Sequence, residues 1–143
     1  MSKIAFVSGH VELDHKTFLD HYQGPLDEAI KNQCSFVIGN AQGADTYALN
    51  YLLEKQVNPH NITIYIYSRF QKSCENYAKK GINVKSGFKS YSERDQSLTL
   101  NSDYDIAWVR SEEESKILFG NRWKPHKKSA TQLNLERRRA RLL

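Results

Sequence analysis

The sequence predicts a single α/β domain: a mainly parallel sheet of about five strands, with helices on both faces. Three observations predict it. The strand candidates are continuous apolar runs and not alternating ones, as expected of strands buried on both sides. Segments with helical spacing alternate with those runs, in the order strand, helix, strand, helix, strand, helix, helix, strand, helix. The length of 143 residues fits one domain with a real core, and no repeat, low-complexity segment or linker divides it.

Ile4-Ala5-Phe6-Val7 opens the series as a buried strand that stops at Ser8-Gly9-His10. From Thr17 to about Asn32, the spacing of Phe18, Tyr22, Leu26, Ala29 and Ile30 is helical. Pro25 follows Gly24 inside that segment, so two short helical pieces are expected. Phe36-Val37-Ile38 is the second strand and ends in Gly39-Asn40-Ala41-Gln42-Gly43. A helix from about Ala44 to Lys55 puts Ala44, Ala48, Tyr51 and Leu52 on one face. Ile62 to Tyr67 is β-branched and aromatic throughout, the best strand in the chain. Phe70 to Lys80 is a weaker helix, and Ser92 to Asn101 a short polar one with Ser92 as N-cap and Asp95 completing a capping box. Asp105 to Val109 is the next strand, residues 110–127 read as a long polar loop, and Ser129 to Arg141 as a final basic helix.

Charge separates the ends of the chain. The net +5 comes from a +7 balance over residues 121–143, which leaves residues 1–120 at −2. The body is therefore not a nucleic-acid-binding body, and the Arg137-Arg138-Arg139-Ala140-Arg141 run is most simply a solvated helix face. Mean hydropathy is −0.68, and no apolar run approaches the ~18 residues of a membrane span. The start of the chain is too quickly polar for a signal peptide. Cys34 and Cys74 are thus expected to be thiols of a cytoplasmic protein. The five histidines lack any HExxH or CxxC context, so no metal and no cofactor is expected.

In open parallel sheets, ligands bind beyond the carboxyl ends of the strands, where strand order reverses. That directs attention to Ser8-Gly9-His10, to Gly39 through Asp45, to Ser68-Arg69, and from Arg110 to the last helix. Gly39, Asn40, Ala41, Gln42 and Gly43 run from a strand into a helix, where bare backbone N–H groups and the helix dipole favour an anion. Ser8 can donate, Gly9 allows close approach, and His10 can act as acid, base or stacking surface. Arg94 and Asp95 suit a sugar or a base. Asp103 and Asp105 lie at the opposite edge and read as structural. Ser129 and Thr131 open the last helix behind Lys127 and Lys128, a second phosphate cradle.

The segment Phe36-Val37-Ile38-Gly39-Asn40-Ala41-Gln42-Gly43-Ala44-Asp45 resembles the "hydrophobic strand, G-x-A-x-G-x-D" element of the SLOG superfamily. That superfamily includes the Rossmann-like LOG phosphoribohydrolases and nucleotide-sensing domains, and is considered similar to the nucleoside deoxyribosyltransferases. The Ser8-Gly9-His10 turn fits as well. Glu93-Arg94-Asp95, ahead of Asp103 to Val109, resembles a deoxyribosyltransferase element. The resemblance spans about residues 3–139 and implies one Rossmann-like domain over 1–143. Many members dimerise, so it also implies a homo-oligomer. LOG enzymes carry PGGxGTxxE where this chain has Lys128-Ser129-Ala130-Thr131-Gln132, so their catalytic carboxylate is not carried over. The ligand-binding half is.

The resulting expectation is a protein that binds a nucleotide or nucleoside. On the conditional reading it cleaves or transfers at the N-glycosidic bond, with Asp95 as first-choice carboxylate and Asp45 as second. Arg94 and the two helix starts would then hold phosphate, while His10 or Tyr91 would meet the base or sugar. The alternative is a non-catalytic nucleotide sensor. A third reading is a nucleic-acid or protein adaptor acting through the basic tail.

Overall fold

The computed structural model describes residues 2–67, 72–125 and 127–142. Among the described residues there are five strands: β1 (Ile4–Ser8), β2 (Ser35–Gly39), β3 (Ile62–Tyr67), β4 (Asn83–Phe88) and β5 (Tyr104–Ala107). They form one sheet in the order β4-β3-β2-β1-β5, with every pairing parallel. The α-helices among the described residues are α1 (His15–Lys31), α2 (Ala44–Glu54), α3 (Lys72–Lys79), α4 (Tyr91–Leu100), α5 (Glu112–Phe119) and α6 (Ala130–Leu142).

Connection handedness sorts the helices. From β1 to β4 the chain steps one way across the sheet, and right-handed crossovers put α1, α2 and α3 on one face. The step from β4 to β5 returns past β1, so α4 falls on the other face, where α6 joins it. Side chains of β1 divide accordingly. Ala5 and Val7 enter the large core with Phe18, Tyr22, Leu26 and Leu52, while Phe6 points to Val37, Tyr65 and Leu98. Apolar residues on both sides of each central strand explain why the runs are continuous. The α/β class, the parallel sheet and the covered faces are as the sequence predicts.

Four local expectations need correcting. Helix α1 runs unbroken through Pro25. Gly24 and Pro25 are both exposed, so the missing N–H lies on the solvent side, where a helix bends outward at little cost. Buried Phe18, Tyr22, Leu26 and Ala29 hold the stripe together on both sides of it. Strand β4 was not expected as an element. It is an edge strand, mostly exposed, and its polar residues hide it from a search for apolar runs. The stretch 110–127 is not all loop. Ser111 Oγ accepts from Glu114 N and the Glu114 carboxylate accepts from Ser111 N, a reciprocal capping box that starts α5. Finally, α4 is capped by Ser90 and not by Ser92: Ser90 Oγ accepts from Glu93 N, and Glu93 returns to Lys89 N. That register releases Asp95 from capping and turns it inward, where it is 7% exposed. Ser68, Arg69, Phe70 and His126 lie outside the described residues.

Among the described residues no helix is long and apolar enough to cross a membrane. Cys34 and Cys74 are free thiols.

The β1 and β5 ends are tied by one side chain. The Tyr22 hydroxyl donates to Ser8 O at 2.7 Å and accepts from Trp108 N at 3.1 Å. Burial pushes the Tyr22 hydroxyl up to about 12, opposed by the hydrogen bond from Trp108 N and helped by the Asp45 charge, so it stays a neutral phenol. Tyr22→Phe leaves a carbonyl and an N–H unpaired in a dry position. The expected loss is about 1–3 kcal/mol by urea denaturation; a loss below a few tenths would mean water reaches both groups.

Candidate functional site

Among the described residues, two side-chain groups occupy the carboxyl edge. The first sits where β2 ends. Gly39 has no side chain, and a Cβ there would lie 2.8 Å from Asp45 Oδ2 and 3.1 Å from Arg94 Cζ. Glycine thus lets a carboxyl from the start of α2 and a guanidinium from α4 meet over the strand end. Arg94 Nε and Nη2 donate to Asp95 Oδ1 at 3.2 and 3.0 Å, and Nη1 donates to Asn40 Oδ1 at 3.2 Å. Ala41 N donates to Asp45 Oδ2 at 3.1 Å. The guanidinium also lies 5.1 Å from the Tyr91 ring, which stacks on Tyr67 at 4.8 Å. Asp45, Arg94 and Asp95 are 7–8% exposed. Burial pushes the Asp45 carboxyl up to about 7; the Ala41 N–H and the Arg94 charge oppose that, and the Asp95 charge adds to it. A carboxyl that exchanges its proton near neutral pH is therefore set beside an arginine-paired carboxylate.

The second group lies where strand order reverses, between β1 and β5. His10 Nε2 accepts from Arg110 N at 2.9 Å, and the Arg110 guanidinium donates to Glu12 O. Burial lowers the His10 imidazole to about 4, helped by the Arg110 charge and opposed by Glu12. His10 is thus a neutral acceptor with its proton on Nδ1. Its ring meets Trp108 edge-on at 5.6 Å, and His21 stacks on Trp108 at 4.1 Å. Beside this lattice opens a cleft of about 670 Å³, lined by Glu12, Asp14, Tyr47, Trp108, Arg110 and Glu114, with Ile117 of α5 at its mouth. A smaller cleft of about 400 Å³ lies at the amino edge, by Cys34, Gln33 and Gln56.

The residues singled out from sequence divide between these groups. Gly39, Asn40, Ala41, Asp45, Arg94 and Asp95 come together at the first. Gly9, His10 and Gly43 come together beside the second: Ala44 N donates to His10 O at 3.1 Å. A Cβ at Gly9 would collide with the Tyr22 hydroxyl and the Ala44 methyl. Gly43, at φ +73°, fits under the carbonyl oxygens of His10 and Val11. Gln42 is exposed. Ser8 is 6% exposed, and its Oγ has no hydrogen-bond partner among the described residues. Its side chain shares the sheet face of Phe6, the face that α4 covers. Ser129 Oγ accepts from Gln132 N at 3.1 Å as an N-cap, and Thr131 is buried. Among the described residues no hydrogen bond links Ser129 or Thr131 to either group.

Sequence reasoning did not name Glu12, Asp14, Tyr47 or Trp108 for the site, and reached Arg110 and Glu114 only as part of the segment running from Arg110 to the last helix. None of them carries a ligand-binding motif; the position after β5, next to β1, was the available signal. The basic run also differs from expectation. Arg138 pairs with Asp105 at 3.3 Å and donates to Ser102 O at 2.8 Å. Arg141 donates to Thr99 O at 2.9 Å, and Arg137 to Asn134 Oδ1 at 2.6 Å. Arg138 and Arg141 satisfy carbonyls at the end of α4 and clamp α6 down, while the Arg137–Asn134 bond stays within α6. Asp103 also acts structurally, accepting from Ile4 N at 2.7 Å.

No family model, curated protein or solved structure matches the chain, and what its own architecture shows is a Rossmann-like parallel α/β domain.

Proposed function

We propose that the chain binds a nucleoside- or nucleotide-class ligand at the carboxyl edge of its sheet. The observation that carries this reading is the aromatic-walled cleft of about 670 Å³ at the point where strand order reverses. Ligands of open parallel sheets occupy that place because strand ends and helix starts diverge there. The SLOG resemblance agrees with it, as does a single domain over residues 1–143.

A second reading, cleavage or transfer at the N-glycosidic bond, draws support from the Asp45–Arg94–Asp95 group. Such chemistry passes through an oxocarbenium-like sugar. It needs one carboxyl that can give a proton near pH 7 and one carboxylate that can meet developing positive charge. Asp45 suits the first role and Asp95 the second. Ser8 Oγ, by its face of the sheet, suits a sugar hydroxyl. A sensor would bind in the cleft without turnover.

A thermal-shift screen tests both readings, with nucleosides, mono- to triphosphates, cyclic nucleotides, NAD and ADP-ribose, followed by chromatography of each hit. A ligand at 100 times its dissociation constant adds about 2.7 kcal/mol, or about 5–10 °C for a domain of this size. Free base released from a hit, and lost at least about a hundredfold in Asp95→Asn, establishes the enzyme. A hit recovered intact establishes the sensor. A panel without hits removes the nucleotide reading.

A further inference from the structure

We propose that the cleft at the β1/β5 crossover takes its ligand without a phosphate: a nucleoside or its free base, and not a nucleotide. The inference rests on the nucleoside-or-nucleotide reading above and narrows its ligand class. Three independent features lead to it.

The first is charge. Among the described residues, Glu12, Asp14 and Glu114 line the cleft against one cation, Arg110. That guanidinium is engaged by Glu12 O and lies 5.6 Å from the Trp108 ring. Asp14 is held below the usual carboxylate range by its hydrogen bonds from Thr17, and Glu114 by those from Ser111. Both are therefore charged at neutral pH. A phosphate monoester brings a further charge of about −1.5 to −2, and like charges across a binding surface reject a partner strongly.

The second is the state of the helix starts. A helix N-terminus attracts phosphate through its unpaired N–H groups and its dipole. The α2 start faces carbonyl oxygen instead: Ala44 N donates to His10 O, and the carbonyls of His10 and Val11 crowd Gly43. The α1 start already holds a carboxylate, since Thr17 N donates to Asp14 Oδ1 at 2.7 Å. Gly9, which could have let a phosphate approach, is filled by the Tyr22 hydroxyl and the Ala44 methyl.

The third is the wall. Trp108, Tyr47, Leu13 and Ile117 offer planar and apolar surface. That suits a heterocyclic base, and the carboxylates suit its N–H donors or the hydroxyls of a sugar.

Calorimetric titration with matched pairs, each common nucleoside and its 5′-monophosphate, tests this at fixed ionic strength. Ile117 supplies the control, because it is 85% exposed and tolerates charge without unfolding. In the unaltered protein the nucleoside is expected to bind at least about tenfold more tightly than its monophosphate. Ile117→Lys is expected to narrow that ratio and Ile117→Glu to widen it. A monophosphate that binds as tightly as its nucleoside, or a ratio that ignores both variants, overturns the inference while leaving the broader reading in place. If neither member of any pair binds, the broader reading falls with it.

Discussion

Arg94→Met is expected to cost about 3–5 kcal/mol, a third or more of the stability of an ordinary domain. The guanidinium is 9% exposed at its side chain and is the described partner of Asp95, which is equally enclosed. It also lies over Gly39 with Asp45 against the same point. Methionine fills the space but leaves two carboxyls buried without a cation. The α4-to-loop connection through Asn40 goes with it. Urea denaturation at pH 7 reads the loss directly. Removing both members of the pair, as in Arg94→Met with Asp95→Leu, is expected to recover most of it, because no uncompensated charge then remains. A single-variant loss below about 1 kcal/mol would mean that solvent reaches the group and that the pairing is a surface ornament.

The second large effect is the pH dependence set by Asp45. Its carboxyl has the ordinary aspartate value of 3.8 when unfolded and is pushed up to about 7 when folded. Between those two values the native state holds a proton that the unfolded chain has released. Its contribution to stability is thus complete below about pH 4 and fades as pH rises through 7. Asp45→Asn removes the charge and keeps an acceptor for Ala41 N. The variant is expected to match the parent near pH 4 and to exceed it by about 2–4 kcal/mol at pH 8. Parallel pH–stability curves for the two proteins would show that Asp45 titrates as an ordinary exposed carboxyl. The two variants share a site, so their effects are not expected to add.

Legibility followed sequence distance and polarity. Ile4–Val7, Phe36–Ile38 and Ile62–Tyr67 were legible as strands because their burial on both faces is written in the residues themselves. β4 was not, because the sequence of an edge strand answers mainly to solvent: only Val84 and Phe88 are even half-buried. α5 was legible in principle from Ser111 and Glu114 at capping-box spacing, but the glutamates around them read as loop. Pro25 misled because its cost depends on which way that helix face points, which the local sequence does not state. For the site, Gly39, Asp45, Arg94 and Asp95 stood out as candidates, yet their meeting joins residues 39 and 94. The cleft was harder still, since Arg110 N reaches His10 across a hundred positions. Local pattern identifies the elements, and strand order alone decides which loops become neighbours.

Strand order also has a consequence for how the chain acquires its shape. β1 is a central strand, yet one of its two sides is completed only by β5, the last strand in the sequence. Ala5 waits for Tyr104, and the Tyr22 hydroxyl waits for Trp108 N. During synthesis the first four strands and three helices can assemble while a flat, apolar strand still shows a bare ladder of N–H and C=O groups. That open ladder is a template for the wrong partner until β5 arrives. The arginine clamp of α6 on α4 and β5 then holds the late arrivals in place. The structural role of the basic helix α6 is to tie α4 to β5.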